Sequence, residues 1–549
     1  MDIAVIHSVT KTIGSLALSY PYLKRLEFAP LVDKLTTVGK EREVSTGQIV
    51  EVLVLNRLAL KPTPISQIDA WAQGQVIEEV YGIPAAAFND DRIGRALDEI
   101  YPHLASAWVT LILHGAQTYG VDLRTLHSDV TRVSFEGAYD PRPAETPPMA
   151  ITHGYNGHED PSRKQVTVSL SVAADGALPA WYEVGDGNAA DCRTYLAHLK
   201  AARELLHLED LLVIGDSKLI TRPNMLGFCR GKARFVGPTS LTDADRRMLE
   251  SLWQAGEAWQ RLDVLTDGES DGRGQYWGME TTESLPDPER ETRYLLQRFF
   301  IQSLADRRAV RHQRAKDLVR AHRELGMLRQ RLGRPVYRQR SLVERKVAAA
   351  IGKVGRYLTV TINESPNGIT VAWRLNHCAL AEDARFDGIY ALLTNDTSPE
   401  ASLHRIFHDY KGQSKVEGRF RTLKALPVQI RPIWLHQPKR IASLIFVVMV
   451  ALFVFALIER EARRVVQASG MPFQGVRPDR RDHLPITTPV LIDAFKSLTL
   501  VKQRLRVGDE IHDLTVPTTL TQVQAAILDR LGLLKPDLYL QLVIPPHPS

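Results

Sequence analysis

Eighteen consecutive residues without a charge, Ile441 to Ile458 (IASLIFVVMVALFVFALI), constrain this chain more than any other segment. A helix apolar on every side belongs either in a lipid bilayer or at the centre of a large protein core. Eighteen residues meet the lower bound for a membrane span. Basic residues flank the run on both sides, Lys439 and Arg440 before it and Arg460, Arg463 and Arg464 after it, so they favour neither orientation of a span. Long polar stretches surround this one apolar segment. The expectation is therefore a buried helix at the centre of a large soluble domain, with a single-span membrane protein as the alternative.

A chain of 549 residues exceeds what one hydrophobic core organises, so two to four domains are expected. The net charge of +6 and a pI near 9.0 allow a polyanionic partner without requiring one. Cys192, Cys229 and Cys378 lie far apart and form neither a metal-type nor a paired spacing, which points to a reducing compartment and away from structural zinc. The N-terminus, MDIAVIHSVTKTIGSLALSY, has no basic stretch leading into an apolar core and does not read as a secretory signal. The cytoplasm is the expected location.

Residues 1–115 read as a helical module, with Ser45 or Thr46 and Asn89 as helix caps, Pro62 and Pro64 as breakers and Pro102 near a stop. From about residue 120 the texture changes. VDLRTLHSDVTRVSF is strand-like up to Gly137, and a Pro-rich loop, YDPRPAETPP, follows it. Two further strand-like runs flank an Asp-Gly turn at Asp175 and Gly176. NAADCRTYLAHLKAARELLHL is a helix with Asn188 as its cap, and LEDLLVIGDS is a short apolar strand ending at Asp216. The order is strand, strand, strand, helix, strand.

Residues 240–385 separate this unit from a later helical stretch. They carry Trp253, Trp259 and Trp277, then a long helix with Ala315, Leu318, Ala321, Leu325, Leu328 and Leu332 in one stripe. Between Arg307 and Lys346 fourteen Lys and Arg face three Asp and Glu, which reads as a solvated helix face or as a surface that tracks phosphates. Strands return in RYLTVTINESPNGITVAWRL and DGIYALLTND.

YKGQSKVEGRFRTLK, residues 410–424, places Tyr410, Glu417 and Lys424 seven positions apart. On one continuous helix they would project within about 40° of one another. Val416, Phe420 and Leu423 mark a buried face beside that ridge, while Gly412 and Gly418 each cost such a helix about 1 kcal/mol. An amphipathic surface helix with charges on its edge is the plain alternative. Asp129 in the first strand, Asp216 at the end of the fourth and Glu417 here are three carboxylates that would repel one another if brought together. A divalent cation offsets that repulsion, and oxygen-only ligation suits Mg²⁺ or Mn²⁺. Two such ions about 3.5–4 Å apart serve in-line phosphoryl transfer.

LHSDVTRVSFEGAY, GDGNAADCRTY, VIGDSKLITRPNM, FDGIYALLTND and YKGQSKVEGRFRTLK, in that order, resemble the bacterial insertion-sequence transposases of the DDE type that carry a Tyr-Arg-Glu-Lys signature. The resemblance covers about residues 120–460. It implies an α/β fold: an RNase H-like mixed-sheet catalytic core interrupted by a large insertion domain and preceded by an all-helical N-terminal module. The implied layout is 1–115 as the helical module for DNA-end binding, 116–239 as the first part of the core and 240–385 as the insertion. Residues 386–465 would be the second part of the core, with the Glu417 helix and the buried apolar helix, and 466–549 a C-terminal region for dimerisation or DNA contacts. Asp129, Asp216 and Glu417 would be the catalytic, metal-binding triad, holding two Mg²⁺ or Mn²⁺ ions in the active complex. Tyr410, Gln413, Arg421 and Lys424 would contact DNA. The signature arginine is replaced by Gln413, an amide able to bond a phosphate but without the charge, and Arg421 or Lys415 stands near enough to substitute. In some such relatives an aromatic residue of the insertion stacks on a flipped base, for which Trp253, Trp259 and Trp277 are the candidates, with core packing as the plain alternative.

The function implied is binding of the element's terminal inverted repeats in double-stranded DNA, hydrolytic cleavage and joining of the 3′-hydroxyl ends to target DNA. A homodimer in the synaptic complex and a nucleoid-associated, cytoplasmic location follow. The alternative is a catalytically silent DNA-binding regulator derived from a transposase, whose sequence mark would be a broken triad. Glycoside hydrolysis by paired carboxylates is disfavoured by the basic ridge and by the lack of clustered aromatic sugar platforms.

Overall fold

The computed structural model describes residues 3–36, 43–135, 139, 149–154, 162–189, 194–263, 274–366, 368–425, 428, 435–507 and 509–533. Gly137, residues 140–148 of the Pro-rich loop and Cys192 lie outside them. The chain divides into two units, residues 1–235 with 409–549, and residues 236–408.

The first unit opens on a strand, β1 (Ile3–Thr12), where the sequence suggests an all-helical module. Its antiparallel partner is Thr499–Val507, which pairs in turn with Glu510–Pro517. A strand whose partner lies nearly the whole chain away leaves no local hairpin signal. The helices that follow obey their caps. Ser45 and Gln48 close a capping box on Thr46–Arg57, and the Asn89 side chain accepts from the Arg92 N–H at the start of Asp90–Ile100. That helix stops at Ile100, and Pro102 sits in the 3₁₀ turn Tyr101–His103.

Four strands of the first unit follow: β2 (Thr125–Phe135), β3 (Lys164–Ala173), β4 (Pro179–Asp186) and β5 (Leu212–Ile214). Their order is β4-β3-β2-β5, with β5 parallel to β2 and the other pairings antiparallel. Gly176, at φ +75°, makes the expected turn between β3 and β4. The helix Thr194–Glu204 joins β4 to β5, and the cap assigned to Asn188 adjoins residues 190–193, outside the description. The fold is α/β with a mixed sheet, and along the chain its elements follow the order read from the sequence: strand, strand, strand, helix, strand.

The apolar run lies within a helix, Pro438–Ser469, that is long and apolar enough to cross a membrane by length and composition, yet 94% of its most apolar eighteen-residue window is buried inside the protein. It packs on Thr46–Arg57, Asp90–Ile100 and β4. Trp108 meets Phe446 and Phe453 edge-on at 6.5 and 6.4 Å. Gly115 lets Phe453 approach, since a Cβ there would lie 2.7 Å from the ring. Full burial of each Leu, Ile, Val or Phe is worth about 1.5–3 kcal/mol, so this helix anchors the first unit.

The second unit begins within β6 (Arg234–Thr239) and contains β7 (Gln260–Asp263), β8 (Gln275–Asp287) and β9 (Thr292–Ser303). It also contains β10 (Leu358–Ser365), β11 (Gly368–Leu375) and β12 (Ile389–Thr394). The order β6-β12-β9-β8-β7 is antiparallel throughout. The basic stretch is a 28-residue helix, Leu304–Arg331. Its stripe is buried at Ala321, Leu325, Leu328 and Leu332, half-buried at Leu318 and exposed at Ala315. Leu325, Leu328 and Leu332 join Val343, Val347 and Val371 in a small separate core with the helix Arg340–Ile351 and the β10–β11 hairpin. Arg311 and Arg314 grip the buried carboxylate of Asp387. Trp253 is committed to packing, with Phe386 at 5.5 Å and the Arg385 guanidinium 4.8 Å above its ring.

Candidate active site

Asp129 sits mid-strand in β2, and Asp216 follows β5 after Gly215. Because β5 runs parallel to β2, with Thr125 opposite Leu212 and His127 opposite Ile214, both chains advance toward their aspartates in the same direction. Glu417 lies in the first turn of the helix Ser414–Lys424, whose Val416, Phe420 and Leu423 are buried as their spacing suggests. That helix packs over β2 and β3.

The three carboxylates share one electrostatic neighbourhood. Burial, first, and the charges of Asp216 and Glu417 raise the Asp129 pKa to about 6, against the Val130 N–H and the Lys218 ammonium, which lower it. The Val130 N–H donates to Asp129 Oδ1 at 2.7 Å. Asp216 Oδ1 accepts from the Tyr195 hydroxyl at 2.8 Å and the Lys218 N–H at 3.0 Å, and Asp216 Oδ2 lies 4.0 Å from Lys218 Nζ. Glu417 is exposed.

Among the described residues no three His, Cys, Asp or Glu side chains stand close enough together to hold a metal ion. The donor chemistry nevertheless suits a hard divalent cation, carboxylate oxygens without thiol or imidazole, and such a charge would offset the burial and the acidic neighbours that raise the Asp129 pKa.

The row of Tyr410, Glu417 and Lys424 is not one helical ridge. The helix Leu403–Lys411 ends before Gly412 and a new one starts at Ser414, so Tyr410 belongs to a different helix from Glu417 and Lys424. The break has a tertiary cause. A Cβ at Gly412 would lie 2.6 Å from His127 Cε1, so only glycine lets the turn come this near β2. Gln413 turns inward, donating from Nε2 to the Ser128 carbonyl at 2.9 Å. Lys415 Nζ donates to the Ala174 carbonyl at 2.9 Å, whereas Arg421 and Lys424 are exposed.

Three residues carry this geometry without having been singled out from the sequence. Tyr195 closes the motif GDGNAADCRTY and Lys218 follows Asp216 by two, so both stood inside segments already marked. Arg419 left no such trace. Its buried guanidinium donates to the Ala177 and Gly176 carbonyls, each at 2.9 Å, and to Glu459 Oε1 at 3.2 Å, fixing the Glu417 helix to the β3–β4 turn and the apolar helix.

Residues 8–113 match a protein family described as a domain of unknown function, DUF4277. No curated protein matches the chain. Similar solved structures include a piggyBac transposase synaptic complex with hairpin DNA, 8% identical over 89% of this chain and 83% of that one, with a TM-score of 0.39. A Mos1 transposase paired-end complex with left transposon end is 9% identical over 36% of this chain and 60% of that one, with a TM-score of 0.15. These neighbours are transposases, but likeness at this level carries no argument, and function has to rest on the residues of this chain.

Proposed function

We propose that this protein is a DDE-type DNA transposase of an insertion sequence. It binds terminal inverted repeats, cleaves them by metal-dependent phosphodiester hydrolysis and joins the 3′-hydroxyl ends to target DNA by transesterification. What supports this reading is the placement of Asp129 and Asp216 on and after the parallel strands β2 and β5 and of Glu417 on the helix packed over β2 and β3, with the charges of Asp216 and Glu417 adding to burial in raising the Asp129 pKa to about 6. Such a cluster is unfavourable unless a cation neutralises it.

Asp129, Asp216 and Glu417 would hold Mg²⁺ or Mn²⁺. So held, the cations would supply the Lewis acidity that in-line phosphoryl transfer needs. Glu417, the exposed member, has the rotamer freedom to complete the ligand set. Arg421 and Lys424, exposed on the same helix, suit contacts with strand phosphates beside the scissile bond, and Tyr410 flanks them from the preceding helix. Lys218, beside both aspartates, adds positive charge where a phosphate would sit. Synapsis of two ends calls for a homodimer, acting on DNA in the cytoplasm.

The test is nicking of DNA carrying the element's ends in Mg²⁺ by the purified chain. Activity should disappear in Asp129→Ala, Asp216→Ala and Glu417→Gln. Cleavage retained in full by all three variants would overturn the proposal.

A further inference from the structure

The backbone just before Asp129 is a junction. Ser128 O accepts from Gln413 Nε2 at 2.9 Å, and the Tyr195 hydroxyl stands 3.4 Å from the same oxygen. Gln413 is the residue that starts the Glu417 helix. Tyr195 gives its single proton to Asp216 Oδ1, the shorter and charge-assisted bond at 2.8 Å, and its oxygen accepts the Asp216 N–H at 3.1 Å. Gly215 is what admits the ring: a Cβ there would fall 2.5 Å from Tyr195 Cε1.

Behind Ser128 runs a closed polar chain. Ser128 Oγ meets Ser171 Oγ at 2.5 Å, Ser171 Oγ meets His198 Nδ1 at 2.7 Å, and His198 Nε2 meets Ser169 Oγ at 2.7 Å. His198 and Tyr195 lie three residues apart on the helix Thr194–Glu204, so this helix plugs into β2 and β3 beneath the carboxylates at two points.

We propose that Tyr195 and Gln413 are positioning residues of the carboxylate triad, holding Asp216 and the Glu417 helix against the Ser128–Asp129 segment of β2. The inference rests on the triad being a cation site and goes beyond it by giving Gln413 an inward role in place of a phosphate contact. A ligand's outer partners fix its direction, and losing one typically weakens metal binding by about 10–100-fold. Tyr195→Phe removes one hydroxyl and keeps the ring. Gln413→Met keeps length and removes the donor.

The experiment is calorimetric titration of the full chain with Mn²⁺, without DNA, for wild type, Asp129→Ala, Tyr195→Phe, Gln413→Met and the double variant. Tyr195→Phe and Gln413→Met should each raise the Mn²⁺ dissociation constant by about tenfold, and the double variant further than either, because Tyr195 acts on Asp216 and Gln413 on the Glu417 helix. In metal-free buffer, duplex DNA affinity should be unchanged in Gln413→Met. Should either variant fail to fold, Gly215→Ala, which displaces the Tyr195 ring, and Gln413→Glu, which removes the donor, take their places with the same expectation. Wild-type binding that Asp129→Ala abolishes but the positioning variants leave within twofold overturns this inference alone. Mn²⁺ binding indifferent to Asp129→Ala overturns the cation site and this inference with it.

Discussion

Arg419 and Glu459 form a buried ion pair, Nη2 to Oε1 at 3.2 Å, with side chains 7% and 8% exposed. Burial works against the Arg419 charge and Glu459 offsets it, while two turn carbonyls take further guanidinium N–H groups. Removing Arg419 takes from Glu459 its buried partner but leaves Arg463 at 3.3 Å and the Thr488 N–H at 3.4 Å, so the cost falls at the low end of the about 3–5 kcal/mol typical of such a pair. Arg419→Met should therefore lower urea stability by that order. Arg419→Met combined with Glu459→Leu should recover part of the loss, since two apolar side chains leave no stranded charge. A double variant less stable than both singles would count against this account.

Gly412 and Gly418 lie near one another in sequence and should respond oppositely to alanine. A Cβ at Gly412 meets His127 at 2.6 Å and would push the turn off β2, whereas at Gly418 the nearest atom is Arg421 Nη2 at 3.9 Å. Gly412→Ala should cut end cleavage by about a hundredfold with unchanged circular dichroism, the order expected when a catalytic group is misplaced by about 1 Å. Gly418→Ala should stabilise its helix by about 0.5–1 kcal/mol and leave cleavage intact. Paired melting curves and nicking rates check both outcomes.

What the sequence disclosed and what it hid divide along physical lines. The caps at Ser45 and Asn89, the Asp175–Gly176 turn and the buried face of Val416, Phe420 and Leu423 are set within a few residues, and they stand as read. Gly412 was legible as a cost to one continuous helix but not as its break, because the close approach to His127, nearly three hundred positions upstream, leaves no local signal. β1 was hidden for the same reason, its partner being Thr499–Val507. The β8–β9 hairpin escaped because QYWGMETTESLPD interleaves acidic and glycine residues with apolar ones, masking a 13-residue strand. In the site, the acidic residues were legible as chemistry, while Arg419, an ordinary charge on a helix edge, shows its part only when Glu459 is brought beside it.

His198 makes acid stability a local readout. It is buried between Ser169 and Ser171, and desolvation lowers its pKa to about 3. The unfolded chain takes up this proton near pH 6.5 and the folded chain near 3, so the unfolded state binds more protons in between. The contribution is full above pH 6.5 and is lost progressively as pH falls toward 3. In His198→Asn, denaturation midpoints should start lower at pH 7 yet decline less steeply between pH 6.5 and 4. Parallel slopes in the two proteins would show that His198 stays unprotonated in both states or titrates alike in both.

The basic helix offers a prediction about DNA that does not involve the carboxylates. Arg311 and Arg314 are occupied by Asp387, but Arg323, Arg331, Arg334 and Arg338 are exposed, with no carboxylate at ion-pair distance among the described residues. They are exposed and take no part in the small core of Leu325, Leu328 and Val343, so altering them should leave that packing intact. If this surface tracks phosphates, each contact releases counterions and adds about 0.9 to the slope of log affinity against log salt. Arg331→Glu, Arg334→Glu and Arg338→Glu together should reduce that slope by about 2–3 on duplex DNA of any sequence and weaken binding at low salt by about a hundredfold or more. Sequence preference for the terminal repeats should persist, because phosphate contacts position the protein without reading bases. An unchanged slope would identify the run as a solvated helix face, the other reading of fourteen basic residues against three acidic ones.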